Sequence, residues 1–412
     1  MLYPDLTYIN PNILKSTVFD RTKLDASISN QILSRNGTPK ILDGDWDIEG
    51  QTEIEFEKMD VYIAIKDHFI HGVHWTKTKL YERVSRCMRD GTYKTSVWGC
   101  NTPKQYLDNY LKKKLTNVYN DIRKNGYKTQ KQVVIQDQKE REQGKKKYNN
   151  GIESRGSSDE IRVIINRKGE IVFLDGRHRL SISKILGLNS IPVKIMLRHK
   201  KWVDFQETIL NYAKKRPNGK IYQRITEHPD LNFIPAMHTD NRFAILKKSI
   251  KDYNCKGKKL IDIGTHWGHM AHYFEKLGFK CTATENMLSN IHYLKGIRDA
   301  CSKKFDIWYG DVLDYPNIEK MDVIVALNIF HHFCKTRSKH IRFVKFLKRI
   351  KADIMLFQAH LHDPPGQMKN AYRNYSETEF VKFISKHTGL NNWKKIGVSP
   401  DKRPIYKLWK SY

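Results

Sequence analysis

Two short stretches of this 412-residue chain carry side chains whose types and spacing can do chemistry. FLDGRHRL, from Phe173, runs an apolar strand into Asp175 and Gly176, then packs Arg177, His178 and Arg179 into one corner. Guanidinium groups at a helix start, where unpaired backbone N–H groups already point outward, make an anion site; the plainer alternative is solvated surface. A carboxylate for metal or base work, Asp175 or Glu170, would complete the parts that phosphoryl transfer needs. LIDIGTHWG, from Leu260, also leaves a strand through a glycine turn, with Asp262 just before it. A pyrophosphate there requires G-x-G-x-x-G, whose middle glycine lets backbone approach phosphate. His266 stands in that place, between Gly264-Thr265 and Gly268. A cationic, phosphate-free ligand suits this turn better.

Three more positions extend the second site. Glu285 and Asp311 follow the next two apolar runs, so three acids stand at successive strand ends. NIFHHF (Asn328–Phe333) leaves the fourth run with His331 and His332, and His360 and His362 follow the fifth. A histidine there either lines a pocket or takes the proton of an acceptor hydroxyl. ILDGDWD (Ile41–Asp47) sets three acids around Trp46, but an EF-hand needs further oxygen ligands and a late Glu at fixed offsets, so a turn pinned by the Trp is expected.

The elements that must position these residues are legible in outline. Leu260–Ile263 reads as a buried strand, His269–Leu277 as a helix stopped by Gly278, and Phe279–Thr284 as the next strand. Strands at Phe305–Tyr309 and Met321–Leu327, a capping-box helix from Ser376 and Glu379, and two strands joined at Pro400-Asp401 continue the rhythm. Upstream, a hairpin (Ile161–Asn166, Ile171–Leu174) delivers the chain into the first corner, and Ile191–Ile195 returns as a strand. A long helix runs from Thr102 to Gly126, and residues 139–160 are polar and glycine-bearing, as in a surface loop. The expected divisions are a mainly helical region 1–125, an α+β domain 126–205, a helical connector 206–255 and an α/β domain 256–412.

Composition bounds the rest. The length argues for two or three domains, and 39% hydrophobic residues for folded cores. No run of about 18 apolar residues is present to span a membrane, and the start has no secretory pattern. Six cysteines without C-x-x-C pairs give no metal site and favour a reducing, cytoplasmic setting. The net charge of +30 is spread along the chain, which fits a polyanionic partner but equally a lysine-rich proteome.

From Lys256 to Tyr412 the chain resembles the class I S-adenosylmethionine-dependent methyltransferases, on the Gly264–Gly268 turn and the acids Asp262, Glu285 and Asp311. The resemblance implies a doubly wound, Rossmann-like sheet and S-adenosylmethionine as cofactor. It implies that Asp262, Gly264 and Gly268 shape the methionine pocket, that Glu285 binds the ribose hydroxyls, that Asp311 meets the adenine amino group, and that Thr265, His266 and Asn328 also bind the cofactor. His266 departs from the family, which is usually small there. Residues from about Tyr127 to Trp202 resemble the ParB/sulfiredoxin-like fold, on the D-G-R-H-R box and its hairpin. That resemblance implies that Gly176, Arg177, His178 and Arg179 hold a nucleoside di- or triphosphate, with Mg and Asp175 if the domain is a kinase. Sulfiredoxin's cysteine and a helix-turn-helix are missing. A two-headed enzyme modifying a surface polysaccharide or a small polar metabolite is the expected reading, with a nucleic-acid methyltransferase as the alternative.

Overall fold

Short apolar runs closed by glycine turns become strands throughout, and residues far apart in sequence complete the sheets. The computed structural model describes residues 6–14, 16–18, 39–47, 53–92, 99–142, 160–216, 218–238, 242–362 and 366–410. The chain forms two compact units, Met1–Gln206 and Glu207–Tyr412, where the sequence was divided into four stretches.

In the first unit the strands are β1 (Leu6–Ile9), β2 (Ser16–Val18), β3 (Lys40–Leu42), β4 (Glu53–Glu55), β5 (Ile161–Ile165), β6 (Ile171–Asp175) and β7 (Ile191–His199). They form one mixed sheet, β1-β7-β5-β6-β2-β4, with β3 also pairing β7. The region expected to be mainly helical therefore supplies four strands as well as helices at Asp60–His71, Lys79–Arg89 and Pro103 to Asn125. Strands of three or four residues carry too few positions for a period-2 signal, and β1, β2 and β3 also pair with β6 or β7, more than a hundred residues away. Thr102 caps the long helix by accepting from Gln105 N at 3.2 Å, and its Tyr106, Tyr110 and Leu111 are buried. The β5–β6 turn is built by Asn166, whose Oδ1 accepts from Lys168 N and Glu170 N at 3.1 and 2.8 Å. The 41–47 loop is fastened by charge as well as by its Trp: Arg167 donates from its backbone N to Asp47 at 2.6 Å and from Nη2 to Asp45 at 3.0 Å, while Trp46, half-buried rather than buried, packs on the Ile164, Val172 and Leu197 cluster and on the His199 ring. Of the expected surface loop 139–160, residues 143–159 lie outside the described residues, and the preceding helix Gln130–Glu142 runs into its start.

The second unit holds a two-stranded piece, β8 (Ile221–Gln223) with β9 (Ala236–His238), and a seven-stranded sheet. The latter comprises β10 (Lys259–Ile263), β11 (Lys280–Glu285), β12 (Asp306–Tyr309), β13 (Val323–Leu327), β14 (Ile354–Gln358), β15 (Asn392–Val398) and β16 (Pro404–Trp409). Its order is β12-β11-β10-β13-β14-β16-β15; β10 to β14 run parallel and β16 is antiparallel to both its neighbours. Leu260, Ile261 and Ile263 of β10 are buried on both faces, each contributing roughly 1.5–3 kcal/mol. One face packs on Met270, Ala271, Phe274 and Leu294, the other on Phe330, Phe343, Phe346 and Phe380. Helices thus cover both faces of a doubly wound sheet. Chain order reverses at β10, with β11 on one side and β13 on the other, which is where such sheets bind ligands.

Candidate functional site

At that reversal point the carboxyl ends of β10 to β13 enclose a cavity of about 510 Å³. It is lined by Asp262, Gly264, Thr265, His266, Glu285, Asp311, Asn328 and His332, together with Tyr222, Gln223, Arg242, His269 and Lys339. In-register pairing of Asp262 with Val325 and of Glu285 with Tyr309 brings the strand ends to one level.

The turn after β10 is held by its acids. Asp262 is buried and accepts from Thr265 Oγ1 at 2.5 Å. Burial pushes its carboxyl up to about 6, although the Thr265 bond, the Arg242 and His269 charges and the Ala271 backbone N–H oppose that rise. Glu285 accepts from His266 N (3.0 Å), Asn286 N (3.0 Å) and Met287 N (2.9 Å), so three backbone donors fix one carboxylate. Gly264 has φ 68°, and a Cβ there would meet Ile329 Cδ1 at 2.8 Å. Gly268 does not line the cavity: at φ 86° it lies against Leu294, whose Cδ1 would sit 2.5 Å from an added Cβ, so it is a packing glycine that starts the helix His269–Lys276.

His266 adopts φ 57°, a conformation uncommon for a non-glycine residue, and its ring stacks on Trp267 with Tyr222 at its side. Burial, with the Arg216 charge, lowers its pKa to about 4, leaving a neutral ring where a dinucleotide would need bare backbone. Asp311 accepts from Leu313 N at 3.1 Å and pairs with Arg342 Nη1 at 3.0 Å, which leaves part of its accepting capacity for a ligand. Asn328, at φ 58° beyond β13, presents a buried Oδ1 with no hydrogen-bond partner. An unpaired buried acceptor costs about 1–3 kcal/mol, which a ligand's donor would relieve.

On the β13 side His332 reaches the cavity, whereas His331 is buried behind it, with ring centroids 4.1 Å from His332 and 5.3 Å from His360. Burial, then the charges of Lys335, Lys339 and Arg403, lower the His332 pKa, which keeps the ring in its proton-accepting form at neutral pH. His360 is held by Asn374 at 2.9 Å, and His362 is exposed; neither lines the cavity.

One wall comes from the stretch expected as a helical connector. β8 contributes Tyr222 and Gln223, and the loop after it buries Glu227 against His269 Nδ1 at 2.7 Å. Burial alone would raise the Glu227 pKa, but the bond and charge of His269 hold it below the usual carboxylate range. Thr226 adds a 2.9 Å hydrogen bond to the Tyr273 hydroxyl. No motif marks Tyr222, Gln223, Arg242 or Lys339 in the sequence. His269 is the exception, because it directly follows Gly268 at the start of the helix facing the strand ends.

In the first unit Asp175, Gly176, Arg177, His178 and Arg179 do come together at the β6-to-helix corner, all five half-buried. Gly176 caps the helix Arg177–Ile185 at φ 98°, and an added Cβ would stand 3.2 Å from Ile161 Cα. His178 turns toward the long helix, its Nδ1 3.3 Å from the Tyr110 hydroxyl. Glu170 does not join them. It binds Asn166 Nδ2 at 2.8 Å at the opposite end of β6, about 16 Å away along a five-residue strand, so Asp175 is the carboxylate at this corner. Among the described residues no group of three His, Cys, Asp or Glu is placed to hold a metal ion, and no helix is long and apolar enough to cross a membrane.

Among solved structures, the chain is similar to the bifunctional kinase-methyltransferase WbdD, with 15% identity and a TM-score of 0.38 over 48% of this chain and 46% of that one. It is also similar to the methyltransferase domain of bacterial CtHen1-C (13%, 0.34, 42% and 97%). A third is the T. thermophilus 16S rRNA N2 G1207 methyltransferase RsmC in complex with AdoMet and guanosine (15%, 0.33, 43% and 46%). The chain spans about half the length of WbdD. No family model and no curated protein matches it. These likenesses are too distant to assign a family.

Proposed function

We propose that Glu207–Tyr412 is an S-adenosylmethionine-dependent methyltransferase. The observation that carries this reading is the cavity at the β10 reversal point, lined by Asp262, Glu285 and Asp311 from three successive strand ends and closed to phosphate by His266. When bound, S-adenosylmethionine supplies an electrophilic methyl group on a positively charged sulfur. Asp262 and the unpaired Asn328 Oδ1 offer acceptors to its ammonium group, Glu285 to the ribose hydroxyls and Asp311 to the adenine amino group. The lowered His266 pKa keeps that ring from adding a positive charge beside the donor. With the donor bound, His332 would accept the proton of the acceptor hydroxyl as the new oxygen–carbon bond replaces the methyl–sulfur bond and the sulfur leaves as a neutral thioether. Calorimetric titration with S-adenosylhomocysteine and with NADH tests the assignment: binding of the first alone is expected, and binding of NADH alone would sink it.

We infer further that Gly176 to Arg179 hold the phosphates of a nucleotide, with Asp175 as the carboxylate for metal or base work. What supports this is a helix that starts on a glycine, with no acid in its first turn and Arg177 and Arg179 in it. Failure of ATP, ADP and CTP all to bind would remove it. The acceptor is read as a glycan end or a small polar metabolite, which the half-open cavity of about 510 Å³ could admit. The alternative, a nucleic-acid acceptor, would show as oligonucleotide binding that falls steeply with salt.

A further inference from the structure

An amino-acid end carries an ammonium and a carboxylate on one carbon, and Asp262 with Asn328 answers only the ammonium. Beside Asp262 alone the carboxylate would be repelled. One cation stands with both of these residues: Arg242 lines the cavity together with Asp262, His269 and Asn328. Its Nη1 donates to Gln358 Oε1 at 3.3 Å, and the Gln358 backbone carbonyl accepts from Asn328 N at 3.4 Å. The guanidinium is thus a neighbour of the residue whose buried Oδ1 has no hydrogen-bond partner. The packing fixes it there. Gln358 is buried at the end of β14, and its Nε2 donates to Ser399 Oγ at 2.6 Å. Arg242 begins the helix Arg242–Ser249, in which Phe243 stacks on Tyr273 at 4.2 Å and Leu246 is buried. A guanidinium presents five N–H donors in a planar fork, more than one amide oxygen uses, and the fork fits a carboxylate. The plainer role, neutralising Asp262, fits less well. That carboxyl is engaged by Thr265 Oγ1, and it is raised to about 6 where a close guanidinium pair would hold it low.

We propose that Arg242 binds the α-carboxylate of S-adenosylmethionine, so that the cavity selects a donor that keeps its whole amino-acid end. This rests on the methyl-donor reading of the cavity and deepens it. Arg242 lies in the stretch expected to be only a helical connector, outside the strand-end residues on which the methyltransferase resemblance rests. A donor that has lost its carboxylate, as aminopropyl transfer requires, leaves the guanidinium without its anion and the ammonium without its matched neighbour. The site therefore favours methyl transfer over aminopropyl transfer from the same kind of sulfonium.

The test is calorimetry on the full chain with S-adenosylhomocysteine and with decarboxylated S-adenosylhomocysteine, in the wild type, Arg242→Met and Arg242→Lys. The wild type is expected to prefer the carboxylated ligand about 10- to 100-fold. Arg242→Met should bring that preference within about threefold by weakening the carboxylated ligand alone. Arg242→Lys, which keeps the charge without the fork, should fall between the two. Unchanged affinity for the decarboxylated ligand shows at the same time that each variant is folded with its cavity intact. A preference that survives in Arg242→Met overturns the proposal and leaves the donor reading standing. Equal loss of both ligands in that variant also overturns it, because Arg242 then supports the cavity rather than the carboxylate. A wild type that binds the decarboxylated ligand more tightly overturns the selection for a whole amino-acid end, and one that binds neither overturns the donor reading itself.

Discussion

The Gly176 and Gly264 corners share a backbone solution and differ in charge. Each leaves a strand through a glycine at positive φ that a neighbouring isoleucine closes off, Ile161 in one case and Ile329 in the other. After the first come Arg177 and Arg179; around the second stand Asp262 and Glu285, and a neutral His266. The same steric device therefore says only that something approaches the backbone. What approaches is decided by the charges on either side of the turn, which argue for an anion at one corner and a cation at the other.

Substitutions can break this contrast, and the largest effect belongs to the second corner. His332→Ala is expected to lower kcat about 10²- to 10⁴-fold with donor affinity unchanged; full turnover would reduce His332 to a wall. Glu285→Ala strips three backbone N–H groups of their acceptor and should weaken S-adenosylhomocysteine about 100-fold by calorimetry, without touching nucleotide binding. Gly268→Ala should cost about 2–4 kcal/mol in thermal or urea unfolding, because its Cβ meets Leu294 at 2.5 Å. Gly176→Ala, with contacts of 3.1 and 3.2 Å, should cost about 1–2 kcal/mol; equal losses would mean that the two turns are equally tight. Arg177→Ala with Arg179→Ala should weaken nucleotide binding about tenfold and leave S-adenosylhomocysteine alone.

The smallest effect is a pH dependence. The Asp262 carboxyl, raised to about 6 in the folded protein from 3.8, takes up a proton more readily folded than unfolded. Its contribution to stability is therefore present below pH 4 and lost as pH rises through 6. A cationic donor prefers the ionised form, so its affinity should rise severalfold between pH 5 and 7 and flatten in Asp262→Asn. An unchanged slope in that variant would assign the dependence to another group.

What was legible in the sequence follows from how local each signal is. The stretch from Leu260 to Glu285 reads cleanly because a buried strand, a glycine turn and a helix stop fall within 26 residues. The acids at 262, 285 and 311 could be placed at one edge because parallel strands fix that edge once their direction is known. Gly268 was grouped with the cavity, since a sequence does not reveal that Leu294 leaves no room for a side chain. Glu170 and Asp175 looked interchangeable until β6 put its length between them. The β1–β4 strands and the Tyr222 wall were hidden chiefly because segments of three or four residues carry no period of their own; distance in sequence adds to this only for the pairing of β1, β2 and β3 with β6 and β7.

The buried pair of Glu227 and His269 bears on time as well as on shape. Tyr222 and Gln223 belong to a wall tied to the adjoining helix by this pair and by Thr226 to Tyr273, with Ile221 and Ile225 buried on either side of them. Parting a buried hydrogen-bonded pair leaves two polar groups without partners, so a half-open wall is costly. Ligand exchange through it would then occur in rare, complete openings, and the residence time of the spent cofactor, rather than the chemistry at His332, would pace successive turnovers.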